Sequence, residues 1–183
     1  MGRVTTFNYD AANRLQNVKK DDGTLIQAFQ FGSTNAKLID YDALGTGRNT
    51  FYATAGGTVL AEYTEFAQNI QTWAKTYTYL GDSQLSTITP NGMGGEYTEY
   101  NHPDRLGTRL ITNGTASAPI EQAHLPFGKS LNAESTATTS SKRFTTYDRS
   151  VPTGLDYAQN RTYDSKQGRF TQIVRLASPL LRR

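Results

Sequence analysis

The chain has 183 residues, 36% hydrophobic and 11% aromatic, with 19 basic and 16 acidic side chains, a formal charge of +3 and no cysteine. Lack of cysteine excludes a disulfide framework and a thiolate metal site, and no apolar run approaches the roughly 18 residues of a membrane-spanning helix. The charge excess is confined to Ile173–Arg183, which carries Arg175, Arg182 and Arg183 and no acid; without it 16 basic face 16 acidic residues, so no basic face for nucleic acid is expected.

Taken in chain order, the same phrase returns. Phe7-Asn8-Tyr9-Asp10 is followed by Asn13-Arg14-Leu15. Two aromatics two residues apart share one face of an extended segment. The Asp accepts from backbone N–H groups ahead of it and starts a turn. Asn or Gly supplies positive φ, and Arg beside an apolar residue restarts a strand, apolar side inward. Weaker copies follow: Phe29-Gln30-Phe31 leading to Lys37-Leu38, Tyr41-Asp42 with Gly47-Arg48, and Tyr77-Thr78-Tyr79 leading to Gly81-Asp82 and Leu85. Phe7 to Phe29 and Tyr9 to Phe31 are both 22 residues apart, a period of repeat architectures.

The best helical stretch, Ala61 to Ala67, fits a strand equally well, and Gly92-Met93-Gly94-Gly95 reads as a loop. Ser135 to Lys142 is low in complexity and reads as a flexible surface insertion. Beyond it stand Tyr147-Asp148, Gly154-Leu155, and Tyr163-Asp164 with Gly168-Arg169-Phe170, the fullest copy. The prediction is a mostly β fold: antiparallel hairpin repeats forming a strip, with little helix. Aromatic and β-branched side chains supply its apolar area.

Several groupings invite a chemical reading. Asp148, Asp156 and Asp164 are spaced by eight, but Tyr147-Asp148 and Tyr163-Asp164 are read as turn-starting pairs. His102-Pro103-Asp104 matches a tripeptide of J-domain co-chaperones, yet its flanks are extended and broken by glycine. His102 is expected to bond within a turn and Asp104 to pin backbone amides. His102 and His124, 22 apart without clustered carboxylates, do not compose a zinc site. No nucleophile elbow or phosphate loop is present, so no catalytic residue, metal or cofactor is assigned.

These phrases resemble the Rhs, or YD-repeat, family, and three elements resemble its repeat-associated core region: Glu99 to Arg109 with His102, Asp104, Leu106 and Gly107; Leu125-Pro126-Phe127-Gly128; and Arg143 to Phe170. On this resemblance residues 1–95 are degenerate repeats, 96–172 the core signature and 173–183 a divergent basic tail, all in one structural domain. The family implies a β-sheet spiralling into a hollow shell that encloses a C-terminal toxin or stands at the cell surface. The expected partners are the rest of that shell and the toxin, without nucleic acid or a membrane span. Secretion or surface display follows from the family, although Met1-Gly2-Arg3-Val4 carries no signal segment. Gly2-Arg3-Val4 stands where an earlier unit would close, so the chain reads as starting inside a longer array.

Where the family continues to Asp-Pro and a self-cleavage segment, this chain has Thr171 to Arg183, with no Asp or Glu after Asp164. An aspartyl autoprotease needs two carboxylates sharing a site, so self-cleavage is not expected, and a frameshift or recombination junction is the simplest origin of the tail. A second expectation is a carbohydrate- or cell-surface-binding module, in which exposed aromatics stack on sugar rings and Trp73 reports binding.

Overall fold

The computed structural model describes residues 4–67, 70–113, 118–131, 140–158 and 161–173. The fold is mostly antiparallel β with almost no helix. Eleven strands follow one another in a single meander, each paired with the next in sequence. They are β1 (Val4–Tyr9), β2 (Leu15–Lys20), β3 (Leu25–Phe31), β4 (Lys37–Asp42), β5 (Arg48–Ala55), β6 (Thr58–Ala67), β7 (Ile70–Leu80), β8 (Ser83–Pro90), β9 (Glu96–Asp104), β10 (Gly107–Asn113) and β11 (Ile120–Glu121). A 3₁₀ turn, Pro126–Gly128, precedes a second sheet of four short strands, β12 (Asp148–Arg149), β13 (Asp156–Ala158), β14 (Arg161–Asp164) and β15 (Arg169–Phe170). The 22-residue period corresponds to one hairpin, β1–β2 and then β3–β4. The ambiguous stretch around Ala61 lies within β6. No helix among the described residues is long and apolar enough to cross a membrane.

The loop at Gly92–Gly95 joins β8 to β9 inside the same sheet, so the architecture does not change at residue 95. The change of sheet comes later, between β11 and β12. Residues 132–139, which hold most of the low-complexity stretch Ser135 to Lys142, and the tail beyond Ile173 lie outside the described residues.

The second sheet and the segment leading into it lie across the first. At one end the Thr145 amide donates to the Leu106 carbonyl at 2.6 Å, and Gly107 bridges to Phe144. At the other end the Tyr9 hydroxyl donates to the Thr171 carbonyl at 3.1 Å and Asn13 Nδ2 to the Ile173 carbonyl at 3.0 Å. Residues from β2 through β7 line one cleft together with residues 148–157; six adjacent strands do so only if the sheet curls around the strip. The right-handed twist of strands, sharpened by bulges in β1–β4 and β5–β8, gives that curl.

The apolar core is small: Leu15, Val18 and Ile26 of the first sheet close on Leu155 of the strip, with Phe7, Tyr9 and Phe29 packed around them. Gln27, Lys37, Asp40, Thr87, Glu99 and Asp156 are buried as well. Buried polar groups need partners, and those partners organise the inner face.

Candidate functional site

The predicted turn acids divide into two groups. Asp10 Oδ1 accepts from the amides of Ala12 and Arg14, both at 2.9 Å, and its carboxylate pairs with the Arg14 guanidinium at 2.7 Å. Burial by itself would raise the Asp10 carboxyl, but those bonds and the Arg14 charge together outweigh it and hold the group below its usual range. Asp104 Oδ1 accepts from the Leu106 amide at 2.7 Å, and Asp164 Oδ1 from the Lys166 amide at 2.9 Å. In each case a carboxylate holds the reversal between two strands.

Asp148 departs from its expected role. It lies in β12, and its carboxylate accepts from Ser141 Oγ and Lys142 Nζ, both at 2.9 Å. Asp156 has no solvent exposure and takes two hydrogen bonds from Arg149, Nε to Oδ1 at 2.6 Å and Nη2 to Oδ2 at 2.8 Å. His102 also departs: it sits within β9 rather than in a turn, its Nε2 2.9 Å from Thr112 Oγ1.

The core-signature residues form a joint. Gly107 has φ +121° and a Cβ there would meet the Arg143 carbonyl oxygen at 2.6 Å; Gly128 has φ +86° and a Cβ would meet the Phe144 ring at 2.7 Å. Both glycines admit the 143–146 turn, which any side chain would push away. Pro126 opens the 3₁₀ turn, and Phe127, at φ +71°, offers its carbonyl to the Tyr163 hydroxyl at 2.8 Å. Tyr163 is buried and meets Tyr147 and Phe170 edge-on, with centroids 6.2 and 5.2 Å away. Gly154 and Gly168 both take positive φ, and Leu155 enters the core. Leu106 stays exposed. Arg169 pairs opposite Asp164 on β15.

Between sheet and strip lies a cleft of about 430 Å³. Pleat alternation turns Gln27, Asp40, Thr50 and Tyr52, Glu62 and Thr64, and Lys75 toward it. Two ion pairs line it, Lys37 with Asp40 at 3.4 Å and Lys75 with Glu62 at 3.9 Å; Asp148 of its lining is held at 2.9 Å by Lys142 beside the cleft, and Asp42 by the Gly45 and Thr46 amides. The Lys37 ammonium also lies 4.5 Å from the centroid of the Tyr52 ring, 5.1 Å from Tyr157 and 5.9 Å from Phe29, within cation–π range. Gln27 links wall to strip: Nε2 donates to Asp40 at 2.6 Å, and Oε1 accepts from Ser150 at 2.5 Å. The Tyr157 hydroxyl donates to the Asn35 carbonyl at 2.9 Å, and the Tyr77 hydroxyl to Glu62 at 2.6 Å.

The electrostatics follow. Burial pushes the Tyr52 phenol well above its usual 10.0, and the charges of Asp40, Glu62 and Asp148 push it further. Burial and Glu62 raise Tyr77, and burial and Asp148 raise Tyr79. Tyr157 is pushed up to about 12, mainly by burial. These phenols therefore stay neutral and donate. Burial would raise the Asp148 carboxyl, but the Lys142 and Lys37 charges and the bonds from Lys142 and Ser141 bring it below the usual 3.8.

Sequence reasoning missed Lys37, Asp40, Glu62 and Lys75. Their signal was polar residues on the period-two face that a half-buried strand keeps apolar. Among the described residues no group of three or more His, Asp or Glu is placed to hold a metal ion.

The opposite face of the sheet carries a cross-strand row, Ile39 against Phe51, Phe51 against Tyr63, and Tyr63 against Trp73. Tyr63 is 40% exposed; Phe51 and Trp73 are half-buried. Asn49 Nδ2 donates to Glu65 at 2.7 Å beside that row.

No family model matches the chain, and no curated protein matches it. Among solved structures it is similar to the one described as "Crystal Structure of TcdB2-TccC3-TEV", with a TM-score of 0.65 and 16% identity over 90% of this chain. It spans 9% of the length of that chain. The likeness is one of fold alone.

Proposed function

We propose that the chain is a non-catalytic wall segment of an Rhs-type β-shell, and that its inner face contacts a polypeptide enclosed in the shell, a C-terminal toxin in the family it resembles. The partners are then the remaining shell and that cargo, in a protein that acts outside the cell or at its surface. The observation that carries this reading is the lining of the cleft. Its ion pairs Lys37–Asp40 and Lys75–Glu62, with Asp148 held by Lys142 beside the cleft, present a polar, wettable wall. A wall of this kind suits a hollow, whereas a solid domain would fill the space with apolar side chains. The fold likeness to the structure described as "Crystal Structure of TcdB2-TccC3-TEV" supports the same reading. The reading as non-catalytic rests on commitment: each cleft carboxylate is tied to a cation or a turn, and none pairs with another carboxylate as acid–base chemistry of the aspartyl type requires.

The test is amine-reactive crosslinking of the longer protein of which this chain is a segment. Lys75 and Lys142 are expected to crosslink to residues of the enclosed polypeptide. Crosslinks confined to shell sequence would overturn the reading.

A second reading, carbohydrate binding, is favoured by the row Phe51–Tyr63–Trp73 with its Asn49–Glu65 rim. Aromatic faces stack on sugar rings and the rim supplies hydrogen bonds. Saturable quenching of Trp73 fluorescence by oligosaccharides, lost in Tyr63→Ala, is the expected signature; an unresponsive Trp73 across a glycan panel would remove this reading.

A further inference from the structure

Several turns share one device, a side-chain oxygen that holds backbone amides ahead of it. Asp10, Asp22, Asp42 and Asp104 fill that position in the first sheet, and Asp164 fills it in the second. In the β8–β9 turn it is filled by Asn91, whose Oδ1 accepts from the Met93 amide at 2.8 Å and the Gly95 amide at 2.9 Å. The residue that follows is Gly92.

We infer that Asn91 is a self-modification site, at which the Gly92 backbone nitrogen displaces the side-chain amide and leaves aspartate or isoaspartate at position 91. Hydroxide takes the proton from the Gly92 nitrogen, and that nitrogen bonds to Asn91 Cγ. The Cγ–Nδ2 bond then breaks as water returns a proton to Nδ2, regenerating hydroxide, and ammonia departs from the closed succinimide. Water adds to one of the two ring carbonyls and reopens it. No redox partner or cofactor enters.

Two features of the turn favour this reaction. As the nitrogen adds, negative charge gathers on Oδ1, where the Met93 and Gly95 amides already point; donors aimed at developing charge are an oxyanion hole. Gly92 carries no Cβ, has φ +76° and faces open space, with nothing within 4 Å of where a Cβ would lie. The products differ in consequence. Opening to aspartate places at 91 the residue type that the other turns already use, with one added negative charge. Opening to isoaspartate inserts a methylene into the backbone and disturbs the pairing of Pro90 with Glu96 and Thr89 with Tyr97.

The experiment follows Asn91 by peptide mass mapping while the whole chain is held at mildly alkaline pH, once in buffer, with its strand signal verified by circular dichroism, and once in concentrated urea. Asn113-Gly114, the other Asn-Gly pair of residues 85–120, serves as an internal reference in urea. Asn91 is expected to convert several-fold faster in the folded chain than in urea, where it should match Asn113. A folded rate equal to or below the urea rate overturns the proposal. Asn91→Asp should keep the strand spectrum of the parent chain; its loss would overturn the claim that aspartate fits the turn.

Discussion

Arg149 holds Asp156 with two parallel hydrogen bonds where no solvent reaches the carboxylate. The same guanidinium donates to the Gly128 carbonyl at 3.2 Å and to Ser165 Oγ at 2.9 Å, so one cation ties the 3₁₀ turn, β12, β13 and the β14–β15 turn together. Removing one partner strands the other. Asp156→Ala is therefore expected to cost roughly 3–5 kcal/mol, whereas the pair Arg149→Met with Asp156→Leu should cost clearly less, because both buried charges go at once. Urea unfolding of the two variants checks this, and a double variant as unstable as the single one would contradict it.

The glycines at the joint give a second prediction. Gly128→Ala combines positive φ with a Cβ 2.7 Å from the Phe144 ring. Backbone strain of about 1–3 kcal/mol then adds to overpacking of about 1–3 kcal/mol. Gly47→Ala, at φ +65° in open space, should lose only the backbone part, roughly 1–2 kcal/mol. Thermal midpoints order the two; equal shifts would mean that Phe144 yields to the added methyl.

What could be read from the sequence was local. The hairpins, their 22-residue period and the turn roles of Asp10, Asp104 and Asp164 depend on residues within a few positions of each other. Asp148 sits in the same Tyr-Asp phrase as Asp164, yet Lys142 and Ser141 claim its carboxylate instead of the amides ahead. That outcome depends on how the strip crosses the sheet. The crossing itself rests on contacts such as Tyr9 with Thr171 and Tyr157 with Asn35, separated by 162 and 122 residues. No periodicity encodes such pairs. The cleft escaped notice for a related reason: Asp40 and Lys37 look like an ordinary solvated strand face until the strip covers them.

Asp148 sets a pH prediction. Its folded carboxyl lies below the ordinary 3.8 because Lys142 and Lys37 outweigh burial. A depressed carboxyl stabilises the fold in full above the unfolded value and loses that contribution as pH falls through the folded value. Stability should thus decline below about pH 4. In Lys142→Met burial acts with less opposition, the folded carboxyl lies nearer its unfolded value, and the acid decline should be shallower. Urea midpoints measured from pH 3 to pH 7 test it; identical acid limbs in the two proteins would show that Asp148 is not coupled to Lys142.

Leu155 decides whether the strip is held by packing or by its polar contacts. Its side chain, 6% exposed, meets Leu15, Val18 and Ile26, so a residue of the second sheet completes the core of the first. Trimming a buried Leu to Ala removes transfer energy and leaves a cavity, about 2–5 kcal/mol together. Ser150 and Thr153 on Gln27, and Tyr157 on Asn35, remain in place, but neutral hydrogen bonds contribute only about 0.5–1.5 kcal/mol each. Leu155→Ala should therefore loosen the strip before the meander melts. Limited proteolysis is expected to cut first within residues 140–173 while β3–β8 remain protected. Leu80→Ala, at a position 73% exposed, should leave the digestion pattern unchanged. Simultaneous loss of both regions in Leu155→Ala would mean that the meander cannot stand without its strip.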